Sequence, residues 1–266
     1  MPAMAIQPVV EGVTAVNEGP LVEPLVEGDG INKNAVYLMG EFAAYDRNGH
    51  DITHLFSPKI KQLFALILLY STDGKGIGSK KISSKLWPEK EPAKTKNIKG
   101  VTFNHLRSII NDIDGIELVF LNDHYAFQFG EAFFCDFCVL WNFIRENAPG
   151  PVLPYFNLIA RGPLLGGMPE SLLDDIRSPF EDRLIGILIP ELIRRYDARD
   201  FKLVLEMAKL ILTIDSFNEE ALKYQLKSCR RLKGIEYSRK AYDQFTQGYE
   251  KSLGVAYHVS FDKIVQ

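Results

Sequence analysis

Residues 79–113 read SKKISSKLWPEKEPAKTKNIKGVTFNHLRSIINDI and predict two helices separated by prolines. A short helix fits Ser79 to Trp87, because Pro88 cannot continue it. A longer helix fits Thr95 to Ile113, where apolar residues recur at helical spacing on one side. Two helices joined by a short turn, the second of them amphipathic, are typical of a helix-turn-helix.

The flanking segments extend this motif to a winged helix. The expected elements are a strand at 35–45, a turn at Arg47-Asn48-Gly49, a return strand at 50–55, a first helix that starts at Ser57-Pro58, and two strands at 116–121 and 125–129. The last two strands flank a tight turn at Asn122-Asp123 and therefore predict a hairpin. A small sheet, three helices and a terminal hairpin, in that order, predict the winged variant of the helix-turn-helix.

Positive charge is concentrated in the same part of the chain. Residues 57–107 contain eleven lysines and arginines and three acids, a local charge of +8 in a chain whose net charge is −3. A basic segment inside an otherwise acidic protein is the electrostatic footprint of a polyanionic partner. A merely solvated, lysine-rich surface is the alternative that charge alone leaves open.

The third helix carries the residue types that read duplex DNA. Asparagine can bond adenine through two hydrogen bonds, and arginine or lysine can contact guanine or phosphate. Asn97, Asn104 and Ser108 fall opposite the apolar side, and no carboxylate occurs from Lys94 to Ser108. The candidate contacts with double-stranded DNA are Lys80, Lys81, Lys94, Lys96, Asn97, Lys99, Gly100, Asn104, His105, Arg107, Ser108 and, from the hairpin turn, His124. The alternative is an ordinary solvated helix face.

The C-terminal half predicts antiparallel helices. Residues 178–253 show helical periodicity, with short breaks at 197–200, 215–217 and 233–234. Helix pairs of this kind bury one another's apolar stripes and leave a concave surface for a partner. The alternative is that these helices only support the winged helix.

The chain also resembles a known family of regulators. Residues 35–130 are similar to the winged helix of SARP-type activators and of OmpR-like response regulators, through the stretches 55–59, 61–70, 84–88 and 105–110. The C-terminal half resembles the bacterial transcriptional activator domain of SARP-type proteins, through the stretches 160–165, 219–221 and 253–255. Within that half, residues 200–221 are similar to a tetratricopeptide (TPR) helix-turn-helix.

This resemblance implies a mainly α fold with small β elements, in which a winged helix-turn-helix domain is followed by an all-α, TPR-like helical-repeat domain. It implies a sequence-specific DNA-binding transcriptional regulator, and an activator. The helical-repeat domain would contact RNA polymerase or form a homodimer on repeated half-sites. The alternative function is a helical-repeat interaction scaffold whose winged helix no longer binds DNA.

Four segments are expected along the chain. Residues 1–34 form an acidic leader or linker, expected to be disordered, because five acids and no lysine or arginine precede residue 31. The winged helix covers residues 35–131, the helical-repeat domain residues 132–256, and a C-terminal tail residues 257–266. The leader is also compatible with a longer, membrane-anchored parent chain.

Other chemistry is only weakly indicated. Gly74 to Lys80 looks like a phosphate loop, but it follows a helix and lacks the Gly-Lys-Ser/Thr spacing, so a flexible turn is expected. Cys135 and Cys138 have metal-ligand spacing, yet no second pair follows. The sequence therefore predicts no enzymatic activity, no cofactor and no metal.

Three cysteines without a disulfide framework predict a cytoplasmic location. The longest apolar run is too short to span a membrane, so no membrane contact is expected.

Overall fold

The computed structural model of the chain describes residues 33–145 and 151–266. Residues 1–32 of the acidic leader, for which disorder is predicted, lie outside the described residues. The described chain forms two compact units. The first holds residues 33–36 and Ala43–Cys135, and we call it the winged-helix unit. The second holds Tyr37–Phe42 and the described residues from Asp136 onward, and we call it the helical unit.

The winged-helix unit is built from three helices and two small sheets. Its elements are β1 (Ala35–Tyr37), β2 (Ala43–Tyr45), α1 (Pro58–Ser71), β3 (Ile77–Gly78), α2 (Ser79–Leu86), α3 (Pro92–Ile110), β4 (Ile116–Leu121), β5 (His124–Phe129) and β6 (Phe134–Cys135). One sheet has the strand order β2-β1-β6, with β1 and β6 parallel, and the other is antiparallel with the order β3-β5-β4. Helices α2 and α3 form the helix-turn-helix, and the β4-β5 hairpin is the wing.

Helix α1 forms the core of the winged-helix unit. Every residue from Leu63 to Leu69 is buried. The Phe64 ring packs against the rings of Phe56 and Phe127, with centroids 5.3 and 5.1 Å apart. The hydroxyl of Ser71 accepts a hydrogen bond from the backbone N–H of Phe127 at 2.8 Å. These contacts fix α1 against β5 and thereby fix the base of the wing.

The helical unit consists mainly of four consecutive helices. Its elements are α4 (Asp136–Arg145), α5 (Phe156–Ile159), α6 (Glu170–Asp197), α7 (Phe201–Ile214), α8 (Glu219–Lys233), α9 (Ile235–Leu253) and α10 (Phe261–Val265). Helix α6 packs on α7, α7 on α8, and α8 on α9. The side chains of Asp200 and Asn218 cap α7 and α8 by accepting backbone N–H groups, and Gly234 separates α8 from α9 with a φ of +91°. The breaks predicted between these helices therefore occur close to their predicted places.

The last residues of the chain are folded onto this unit. Helix α10 buries Phe261 and Ile264 against Leu222 and Leu226 of α8. The segment predicted as a tail therefore contributes apolar side chains to a core cluster.

The first predicted strand is interrupted. The segment 35–45 forms two strands because Gly40 turns the chain with a φ of +70°, and a Cβ there would lie 2.0 Å from the carbonyl oxygen of Arg161. The predicted return strand at 50–55 is reduced to one antiparallel bridge between Tyr45 and Asp51, and Thr53–Leu55 is a 3₁₀ turn. There the Asp51 carboxylate accepts the Thr53 N–H, and the Thr53 hydroxyl accepts the Ala44 N–H. These side-chain bonds add to the backbone bond from the Ile52 N–H to the Ala44 carbonyl oxygen, and the pairing does not continue as a longer ladder.

Four other features differ from the predictions. The segment 74–80 is more than a flexible turn, because β3 pairs with β5 and Ile77 is buried. Helix α3 begins before the predicted Thr95, at Pro92, which the first helical turn tolerates. Helix α6 begins at Glu170 rather than at residue 178, and strand β6 was not predicted.

The predicted fold class is confirmed, since the described chain is mainly helical with small sheets. In the part of the chain that the structure describes, no helix is both long and apolar enough to cross a bilayer.

Candidate nucleic-acid interface

Helix α3 exposes the side that its sequence pattern predicts to be polar. Asn97, Asn104 and Ser108 are exposed, whereas Phe103 and Leu106 are buried. The buried side packs against α1. The exposed amides therefore project from a helix whose rotation about its axis is fixed by the core.

The centre of this exposed side is free of charge and partly apolar. A Cβ built on Gly100 would meet no atom within 4 Å, so the helix surface there is open. Val101 is 60% exposed and lies between Asn97 and Asn104 along the same side. Val101 is not among the candidate contacts predicted from the sequence. An exposed valine among amides offers an apolar contact for a thymine methyl group, while the amides offer hydrogen bonds to adenine.

An aromatic stack joins α3 to the wing. The ring of Phe103 lies 4.1 Å from that of Tyr125, which lies 4.4 Å from that of Phe120, measured between centroids. The guanidinium of Arg107 lies 6.0 Å from the Phe103 ring centroid. Burial raises the pKa of Tyr125 above its ordinary value, and the positive charge of Arg107 opposes that rise. Arg107, predicted as a DNA contact, is thus placed beside the wing, near Tyr125.

The turn of the wing is held against the start of α2. Asn122 and Asp123 have φ values of +51° and +62°, as a two-residue hairpin turn requires. The backbone N–H of Ser79 donates to the carbonyl oxygen of Asp123 at 2.9 Å. His124, the predicted contact of the wing, is exposed, and its Nδ1 lies 2.9 Å from the Asn122 carbonyl oxygen. Helix α2 and the wing therefore form one continuous rigid edge.

The predicted cations fall into two groups. Lys80, Lys94, Lys96 and His105 are exposed. The ammonium of Lys94 lies 3.6 Å from the Glu91 carboxylate on the surface, a pairing of small energetic weight. Two other lysines are held by neighbouring side chains. The ammonium of Lys81 lies 4.3 Å from the Tyr70 ring centroid, and that of Lys99 donates to the Ser79 hydroxyl at 2.6 Å.

A cavity of about 440 Å³ lies between α2 and α3. It is lined by Ser79, Lys80, Ser83, Ser84, Trp87, Pro88, Lys90, Thr95, Lys96 and Lys99. Its side-chain charges are all positive, so it favours an anionic group such as a phosphate. Sequence reasoning missed Ser83, Ser84 and Trp87. They could have been found from their spacing after Lys80, which places all four on one side of a helix.

The helical unit contains a buried carboxylate that sequence reasoning also missed. Asp136 is fully buried at the start of α4, where it accepts the backbone N–H groups of Leu38 at 2.7 Å and Met39 at 3.0 Å. The guanidinium of Arg161 lies 3.7 Å from the carboxylate and 4.2 Å from the Tyr37 ring centroid. Burial raises the pKa of Asp136 to about 6, and its hydrogen bonds and Arg161 oppose that rise. This carboxylate anchors the segment 37–42 within the unit.

The described residues contain no group of three or more His, Cys, Asp or Glu side chains that could hold a metal ion. Of the three cysteines, none of which forms a disulfide, Cys135 and Cys229 are buried and Cys138 is half-buried.

Comparison with known proteins finds a likeness of fold to a solved structure. No protein-family model matches the sequence, and no curated protein sequence is significantly similar to it. The fold is similar to that of Mycobacterium tuberculosis EmbR, solved in complex with a low-affinity phosphopeptide, at a TM-score of 0.57 and 12% sequence identity. The match covers 87% of this chain and 63% of the EmbR chain, so this chain spans less than two thirds of EmbR. At this identity the likeness shows the fold alone, a winged helix together with a helical domain.

Proposed function

We propose that this chain is a sequence-specific, DNA-binding regulator of transcription of the SARP type, and that it acts as an activator. The observation that carries the proposal is the exposed side of α3, which holds amides, a valine and flanking cations and, from Lys94 to Ser108, no carboxylate. The fold shared with EmbR, a SARP-family regulator, supports the same function.

The geometry supports a division of roles on the DNA. Helix α3 would enter the major groove, which admits a helix and distinguishes all four base pairs. Asn97 and Asn104 would read base edges, and Arg107 would contact a base or phosphate near the wing. Lys80, with the other lysines around the α2-α3 cavity, would neutralise phosphates and fix the register of the protein on the duplex.

The helical unit would provide the contact that turns binding into activation. Leu232, Ile235 and Tyr237 are 48%, 46% and 61% exposed around the junction of α8 and α9. Exposed apolar side chains close together in sequence favour a protein partner, either RNA polymerase or a second copy bound to a neighbouring half-site.

We also propose that the protein acts in the cytoplasm, which is the location that three cysteines without a disulfide framework predict.

Selection of random duplexes by the full chain, followed by sequencing, tests the proposal. We expect enrichment of a short motif. In a competition mobility-shift assay, a scrambled duplex of the same length should compete at least about a thousandfold more weakly than the selected duplex does. A chain that is folded by circular dichroism and enriches no motif would contradict the proposal. That result would favour a scaffold whose winged helix contacts only proteins.

A further inference from the structure

The acidic leader, residues 1–32, joins the described chain beside the C-terminal end of α3. The side-chain carbonyl oxygen of Asn34 accepts the backbone N–H of Asp114 at 2.7 Å, just after α3 ends at Ile110. The backbone carbonyl oxygen of Asn34 accepts the N–H of Phe134 at 2.9 Å. The point from which the leader departs is therefore fixed next to the helix that carries the candidate DNA contacts.

The leader is long enough to lie along the whole of α3. This helix has 19 residues and is therefore about 28 Å long, at about 1.5 Å per residue. An extended chain spans about 3.3 Å per residue, so about ten residues cover roughly 33 Å. Glu23, Glu27 and Asp29 all lie within this distance of Lys33, the first described residue. Their carboxylates can therefore reach points along α3 as far as the cavity between α2 and α3.

The leader and this cavity have opposite charges. Five carboxylates and no lysine or arginine lie before Lys33. The described residues that line the cavity of about 440 Å³ include Lys80, Lys90, Lys96 and Lys99, and none of them is acidic. Opposite charges attract, and attachment to the same unit keeps the leader carboxylates at a high local concentration near these lysines. Charge and attachment thus favour the leader as the occupant of the cavity when no DNA is bound.

We propose that the acidic leader binds to the α2-α3 cavity of its own chain and that DNA must displace it. Its carboxylates take the places of DNA phosphates on the lysines of the cavity. The leader lowers the affinity for every duplex and makes that affinity less dependent on salt, because lysines that are already paired release fewer counterions when DNA binds. Only the competition with DNA rests on the proposed function, since the contact between leader and cavity needs no DNA.

Another cationic surface is a poorer match for the leader. Arg230, Arg231 and Lys233 are exposed in the last turn of α8, where positive charge also offsets the negative end of the helix dipole. These residues belong to the helical unit, whereas Asn34 belongs to the winged-helix unit. The α2-α3 cavity thus lies in the unit to which the leader is attached, and contact with α8 is an alternative that the experiment distinguishes.

Cross-linking of the full chain without DNA tests the contact. A carbodiimide joins a carboxylate directly to a lysine ammonium, so it captures pairs that touch. Digestion and mass spectrometry identify the joined residues, and a mixture of isotope-labelled and unlabelled chains distinguishes links within one chain from links between two. At low salt we expect leader carboxylates to be linked to lysines of the cavity within one chain. An excess of the selected duplex should abolish these links.

Duplex binding by a chain with a neutralised leader tests the competition. The leader variant replaces four carboxylates by amides: Glu18→Gln, Glu23→Gln, Glu27→Gln and Asp29→Asn. The control variant neutralises four exposed acids of the helical unit: Asp182→Asn, Glu206→Gln, Asp243→Asn and Glu250→Gln. At low salt we expect the leader variant to bind the selected duplex about tenfold more tightly than the wild type, and with a steeper salt dependence. The control should bind as the wild type does.

Two cross-linking results would overturn the docked leader. One is the absence of links between leader and cavity in a folded chain, in which case tighter binding by the leader variant would reflect general charge repulsion. The other is links to Lys233 or to a second chain in their place. Equal duplex affinity of the leader variant and the wild type would overturn the competition. Links to the cavity in a chain that binds no duplex would instead overturn the proposed function and support the docked leader.

Discussion

Lys99 donates a hydrogen bond from its ammonium to the hydroxyl of Ser79 at 2.6 Å, and this bond ties α3 to the first residue of α2. Ser79 is buried, and its backbone N–H is bonded to the carbonyl oxygen of Asp123 in the wing turn. One serine therefore connects the recognition helix, the preceding helix and the wing. A lysine whose sequence context suggests only a DNA contact thus has a structural partner as well.

Removing this bond should loosen the helix-turn-helix. Lys99→Met keeps the length of the side chain and removes its donor, and Ser79→Ala removes the acceptor. We expect each to lower the free energy of unfolding, with a coupling energy of about 1 kcal/mol in the double-mutant cycle, because a charged donor is bonded to a buried hydroxyl. Urea unfolding of the four proteins measures the coupling. Strictly additive effects would show that the bond contributes nothing.

Asn104→Ala should change which sequences the protein prefers. Asn104 is exposed at the centre of α3, and loss of a base-reading amide should cost about 1–3 kcal/mol at one base position and relax the preference there. Titration of duplexes that vary one position at a time measures this profile.

Lys80→Ala is the control for that experiment. Lys80 is exposed and should contact phosphate, so its loss should weaken all duplexes alike and reduce the salt slope by about 1. If Asn104→Ala also weakens every duplex equally, Asn104 contacts the backbone and α3 docks in a different register.

Val101 should recognise a thymine methyl group. Replacing thymine by uracil at one position of the selected site removes only that methyl, and we expect weaker binding by the wild type at the position next to the Asn104 contact. Val101→Ala should be insensitive to the same replacement. Equal sensitivity of both proteins at every thymine would place Val101 away from the bases.

Sequence periodicity predicts the rotation of α3 well, because a helix that buries Phe103 and Leu106 must expose Asn104. Periodicity does not predict the bond between Lys99 and Ser79, because that bond depends on how α2 and α3 cross in space. The same holds for Asp136, since no local sequence pattern indicates that its carboxylate would be buried. Its partners Leu38 and Met39 are distant in sequence, so only the folded chain reveals them.

Asp136 should give the helical unit a stability that depends on pH. Burial raises its pKa in the folded chain to about 6, from 3.8. The folded state therefore holds this proton more tightly than the unfolded state does. Its contribution to the free energy of unfolding is fully present below about pH 4 and is lost as the pH rises through 6.

The difference in unfolding free energy between wild type and Asp136→Asn isolates this effect, because other carboxylates titrate equally in both proteins. We expect the difference, wild type minus variant, to fall between pH 4 and pH 7. Asp182→Asn, on an exposed residue of α6, is the control and should show no such trend. A flat difference for Asp136→Asn would mean that hydrogen bonds and Arg161 fully offset the burial.

The salt dependence of duplex binding by the full chain tests the central claim most directly. If the exposed lysines around α2 and α3 neutralise several phosphates, the logarithm of the association constant should fall linearly with the logarithm of salt concentration, by about 0.9 for each phosphate and hence by several in total. Binding that does not change with salt, or the absence of binding by a folded chain at low salt, would contradict the assignment of this surface to DNA.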